Sequence, residues 1–156
     1  MEYLTLKWVH ILSAILLFGT GLGSAFYKFF TDRSGEIGAI TVTNRLVVTA
    51  DWLITTPTII IQPITGFWMV SLLNYPAIPG WIWLSLTLYL FAGACWLPVV
   101  ALQIRMRDLA LRQANRGLSL GQEYRRMARA WFWLGVPAFS AMVATVGLMV
   151  FKTTWE

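Results

Sequence analysis

The sequence predicts an all-α integral membrane protein, a four-helix transmembrane bundle, and three observations carry that expectation. Hydrophobic residues make up 58% of the chain and charged residues 12%, against about 25% charged in a typical soluble domain. Four stretches, at about 4–28, 46–73, 80–103 and 129–151, are apolar over the roughly 20 residues that a helix needs to cross a bilayer. Eight of the nine arginines lie between these stretches, and the ninth, Arg129, opens the fourth. At 156 residues the chain reads as one four-span domain covering 1–156. The first stretch is too long for the h-region of a signal peptide, and no A-x-A site follows it.

The first span carries Lys7, His10 and Ser13 at three-residue spacing, near one helix face. Gly19 and Gly23 form a small-xxx-small pair, read as packing against another helix inside the bundle. Asp32-Arg33-Ser34-Gly35 reads as a turn, with the second helix starting early, near 36–43. The second span is the most polar, with Thr55, Thr58, Gln62 and Thr65 among others. Pro57 and Pro63 are expected to kink or unwind it, with Thr and Gln side chains meeting the freed carbonyls. A short turn over 74–80 leads into the third span. Trp8, Trp68, Trp81 and Trp83 form one aromatic belt, and Trp131 and Trp133 the opposite one. The third and fourth helices are expected to project beyond the bilayer, with Ser119 and Gln122 as a capping box opening the fourth.

Charge orients the chain. Arg105, Arg107, Arg112, Arg116, Arg125, Arg126 and Arg129 crowd the connection between the third and fourth spans, and Lys28, Arg33 and Arg45 flank that between the first and second. In a four-span chain these connections share a side, which the positive-inside rule makes cytoplasmic. Both termini then face outward. The net charge of +5 is a topology signal. It does not describe a nucleic-acid surface, because the cations border spans. Lipid headgroups are their expected neighbours.

His10 is the only histidine. An imidazole two turns into a span must find a polar partner, bind a metal or haem iron, or reach the interface. As an axial ligand it would have Lys7 one turn outward for a haem propionate. As a plain hydrogen-bonding residue it would leave Lys7 to snorkel. No second histidine exists, so a further ligand within the chain would be a methionine, with Met69 and Met149 at roughly the right height. Asp51, costly at the hydrocarbon edge, is expected to pair with Arg45, with a proton-relay role as the alternative. Gln62, near mid-membrane, is expected to bond between helices. Cys95 reads as a buried structural thiol. One His, one Cys and few acids disfavour a closed zinc site.

The run Leu6-Lys7-Trp8-Val9-His10-Ile11 with Phe18-Gly19, and the run Thr65-Gly66-Phe67-Trp68-Met69 leading to Gly80-Trp81, resemble the HemJ-type protoporphyrinogen oxidases and CopD-like membrane proteins. Over its whole length, through Ala50-Asp51-Trp52, Ile61-Gln62-Pro63 and Trp96-Leu97-Pro98, the chain resembles the bacterial membrane family known as domain of unknown function 2269. The HemJ-type likeness implies four helices, haem b, and His10 as the matching ligand. Where that group has a His and a Lys in the third helix, this chain has Trp83 and Ser85, which argues against porphyrinogen oxidation.

Three functional classes follow as expectations. The first is a haem-b-binding redox protein of a bacterial inner membrane, multi-pass with periplasmic termini, homo-oligomeric or working with a membrane redox partner. The second is a cofactor-free structural or accessory subunit. The third is a small-solute or proton transporter using the kinked second helix and Asp51.

Overall fold

The computed structural model describes residues 1–152, and within them every regular element is helical. Hydrocarbon offers no hydrogen-bond partner, so a spanning backbone must satisfy itself, as a helix does. The order is α1 (Glu2–Ser34), α2 (Ile37–Ala50), a π-helical turn (Asp51–Thr55), α3 (Thr56–Leu73), α4 (Gly80–Asn115) and α5 (Gln122–Phe151). Four helical spans are long and apolar enough to cross a membrane, the second being the continuous run Ile37–Leu73.

The described residues cluster into two compact units. One holds Met1–Tyr75 with Arg107–Ser119; the other holds Pro76–Met106 with the residues from Leu120 onward.

In the first unit α1 runs through the segment expected to turn. Asp32, Arg33 and Ser34 are its last turn, and Gly35 ends it at φ +73°, where a side chain would be strained and glycine is not. The Ser34 hydroxyl donates to the Thr31 carbonyl and accepts the Glu36 N–H. This local closure lets α2 start at Ile37, the early start that the sequence suggested.

The irregularity of the second span lies just ahead of Pro57. The Thr56 N–H reaches the Asp51 carbonyl, five residues back, which is the π spacing. Pro57 has no N–H to continue a regular ladder, and its ring would crowd a carbonyl one turn earlier. Widening the preceding turn relieves that crowding. The Thr58 hydroxyl donates to the Ile54 and Thr55 carbonyls, as expected of threonines beside a helix irregularity. Pro63 lies inside α3. The span ends at Asn74, φ +45°, a left-handed position that asparagine tolerates.

In the second unit α4 buries Ser85, Ala92, Val99 and Met106. These recur every seven residues, the period of a helix packed along a seam. On α5, Tyr124, Trp131, Ala141 and Thr145 are buried. Trp131 therefore does not belong to the expected inner belt, whereas Trp133, 69% exposed, suits it. The α5 N-cap is Gly121 with no side-chain cap bond, so the Ser119–Gln122 capping box does not form. The cap glycine leaves Ser119 two residues outside the position that box requires.

Polarity is inverted relative to a soluble protein. Leu53, Leu90, Leu97 and Val150 are all more than 60% exposed. Every buried residue of α1 (His10, Ser13, Lys28), of the π-turn (Asp51, Thr55) and of α3 (Thr58, Gln62, Thr65) is polar. Exposed apolar area on this scale belongs against lipid.

Candidate functional site

Within the first unit α1 packs on α3, and the contact centres on His10. Its Nδ1 lies 2.8 Å from the Thr65 hydroxyl. That hydroxyl has one hydrogen, which it gives to the Ile61 carbonyl at 2.7 Å, with the Gln62 carbonyl at 3.2 Å. Thr65 therefore accepts from His10, so Nδ1 carries the proton. In the neutral ring the lone pair then falls on Nε2, and no side chain among the described residues bonds to it.

Below the ring, Gln62 uses both amide hydrogens. One goes to the His10 carbonyl at 2.9 Å and one to the Ser13 hydroxyl at 2.7 Å. Ser13 passes its own hydrogen to the His10 carbonyl at 3.0 Å. Gln62 is thus the interhelical bonding residue expected of it. Gly66 completes the seat: a Cβ there would lie 3.6 Å from His10 Cε1, ordinary van der Waals contact, so anything larger would press on the ring.

Lys7 is exposed while His10 and Ser13 are buried. Lys7 lies one turn nearer the start of α1, ahead of His10, the first buried residue of that helix. Met69 is half-buried and follows Thr65 by one turn on the same face of α3. Met149 lies in the other unit.

Asp51 is buried and accepts the Thr55 hydroxyl at 2.9 Å. The expected pairing with Arg45 does not occur: Arg45 is exposed and makes no ion pair among the described residues. Six residues back along α2, it lies on the outward face. Among the described residues, a Cβ at Gly19, Gly21 or Gly23 would meet nothing within 4 Å. Cys95 is only half-buried.

Sequence reasoning missed a second polar cluster. Lys28 is 0% exposed. Its ammonium donates to Asp32 at 2.9 Å and to the Asn44 side-chain oxygen at 2.8 Å, and Asn44 donates onward to the Ile40 carbonyl. Lys28 reads in sequence as a flanking charge. The available signal was Asp32 four residues later, an i,i+4 partner. Among the described residues no group of three His, Cys, Asp or Glu could hold a metal ion.

No curated protein and no solved structure matches this chain. A family model, described as predicted integral membrane protein (DUF2269), matches residues 4–153. The chain belongs to that family of predicted integral membrane proteins.

Proposed function

We propose that this protein binds haem b in a bacterial cytoplasmic membrane and exchanges electrons there, with His10 Nε2 as the ligand to iron. The observation that carries the reading is the Nδ1–H···Thr65 bond. A ligating histidine characteristically donates its other ring N–H to a fixed acceptor, which sets the tautomer and the ring plane. Here the acceptor is itself fixed, by its bond to Ile61. The residues present therefore fit one imidazole ligand. Iron held there would supply one-electron chemistry. Met69, one turn from Thr65, is the candidate for a second ligand, and exposed Lys7 for a propionate. The arginine-rich connections would face the cytoplasm and both termini the periplasm. The unpacked Gly19–Gly23 stripe is available to a second copy or a redox partner.

Absorbance of the purified protein tests this. A Soret band is expected, lost in His10→Ala and diminished in Thr65→Val, with both variants still eluting as the wild type does. One observation favours a cofactor-free accessory subunit instead. Gln62, Ser13 and the His10 carbonyl already hold α1 to α3, and the ring would complete that seam with no ligand. Wild-type protein that stays colourless after expression with ample haem supports this second reading and contradicts the first.

A further inference from the structure

Packing does not explain all of the buried polarity in the first unit. Membrane helices can associate through small residues or a few hydroxyls. This seam also buries a carboxylate, which is costly in hydrocarbon and typically marks a pathway for ions or protons. On the second span the buried residues are Asp51, Thr55, Thr58, Gln62 and Thr65, spaced by four, three, four and three. That is one continuous helix face. Asp51 and Thr65 are 14 residues apart, roughly 21 Å at about 1.5 Å per residue, most of a hydrocarbon core about 30 Å thick. The opposing buried groups of α1 are Ser13 and His10. His10 lies eight residues from the start of α1, about 12 Å from that end.

Asp51 opens the π-turn and Thr55 closes it, with the Thr55 hydroxyl donating to the Asp51 carboxylate at 2.9 Å; single π-turns recur at functional sites. Each later group on this face is a hydroxyl or an amide, able to donate and accept. The other charges of this unit on the buried side are accounted for: Lys28 bonds Asp32 and Asn44, and Arg45 is exposed.

We infer that the seam between α1 and the second span is a proton path, entered at Asp51 and leading past Thr55, Thr58 and Gln62 to the cluster around His10. Protons hop between groups that titrate or reorient, so they suit a line of single oxygens. A metal cation needs several oxygens converging on one point, and this face presents them one turn at a time. The path requires no cofactor, so it is testable on coloured and colourless protein alike.

The experiment is proton flux into proteoliposomes carrying a pH-sensitive dye, driven by a potassium gradient with valinomycin. Wild-type vesicles are expected to take up protons faster than protein-free vesicles. Asp51→Asn is expected to fall to the protein-free rate, and Asp51→Glu to retain flux. Wild-type flux at the protein-free rate, or Asp51→Asn flux equal to wild type, overturns the path. Should Asp51→Asn fail to fold, Thr55→Val, which removes both the donor to Asp51 and one hydroxyl of the path, is expected to slow the flux, and flux unchanged in that variant overturns it. Without valinomycin, potassium efflux through the protein as fast as its proton uptake would show an unselective leak and also overturn it.

Discussion

The Nδ1 of His10 and the Oγ1 of Thr65, 55 residues apart in the chain, lie 2.8 Å apart. That bond decides which ring nitrogen is left with a lone pair. Thr65 serves as acceptor because its hydrogen is committed to Ile61. Thr65→Ser keeps both bonds and is expected to behave as wild type. Thr65→Val keeps the shape and removes the acceptor. Its expected cost is about 1–2 kcal/mol, read from unfolding in mixed detergent and denaturing surfactant, and a loss equal to that of Thr65→Ser would contradict the role.

Gln62 bridges the two helices with both of its amide hydrogens. Gln62→Leu removes both bonds while filling the space. Interhelical hydrogen bonds in membranes contribute about 0.6–2 kcal/mol, so a loss near that size is expected in the same unfolding measurement. A variant as stable as wild type would mean that the amide carries no part of the α1–α3 contact.

Lys28 and Asp32 differ in burial from the ion pair of Arg107 and Asp108. The Lys28 side chain is 0% exposed and that of Asp32 13%, whereas Arg107 and Asp108 are 35% and 46% exposed. Removing one partner of a buried pair strands a charge and costs about 3–5 kcal/mol. An exposed pair contributes about 0–1 kcal/mol. Asp32→Ala is therefore expected to destabilise far more than Asp108→Ala, by thermal unfolding in detergent. Equal effects would refute the assignment.

Much of the fold was legible in the sequence, and the pairings were not. The four spans follow from runs of apolar residues, and α2 starts early, as the sequence suggested. The register of α1 on α3 was hidden, because nothing local to His10 or Thr65 selects the other. Pro57 signalled an irregularity but not that the widened turn would precede it and carry Asp51. Arg45 and Asp51 looked like partners by charge, yet six residues of helix set them on different faces. A cue to the site was nevertheless present: the polar residues at 51, 55, 58, 62 and 65 keep helical spacing, which marks a face and not a scatter.

The glycines separate into two kinds. Gly66 lies beside the His10 ring, while Gly19, Gly21 and Gly23 face open space. Gly66→Leu is expected to displace the imidazole and lower stability. Gly19→Ala and Gly23→Ala are expected to change monomer stability by no more than about 1 kcal/mol, in the stabilising direction, because alanine loses less backbone entropy than glycine in a helix. Unfolding curves of the three variants check this, and a large loss at Gly19 or Gly23 would place a helix against that stripe.

The state of the one imidazole can be read directly, because a chain with a single histidine gives one pair of ring-nitrogen signals after selective ¹⁵N-histidine labelling. The predicted spectrum shows Nδ1 protonated and Nε2 without a hydrogen, and Thr65→Val shifts the Nδ1 signal. A ring protonated at Nε2 with Nδ1 bare, or an imidazolium at neutral pH, would contradict the account.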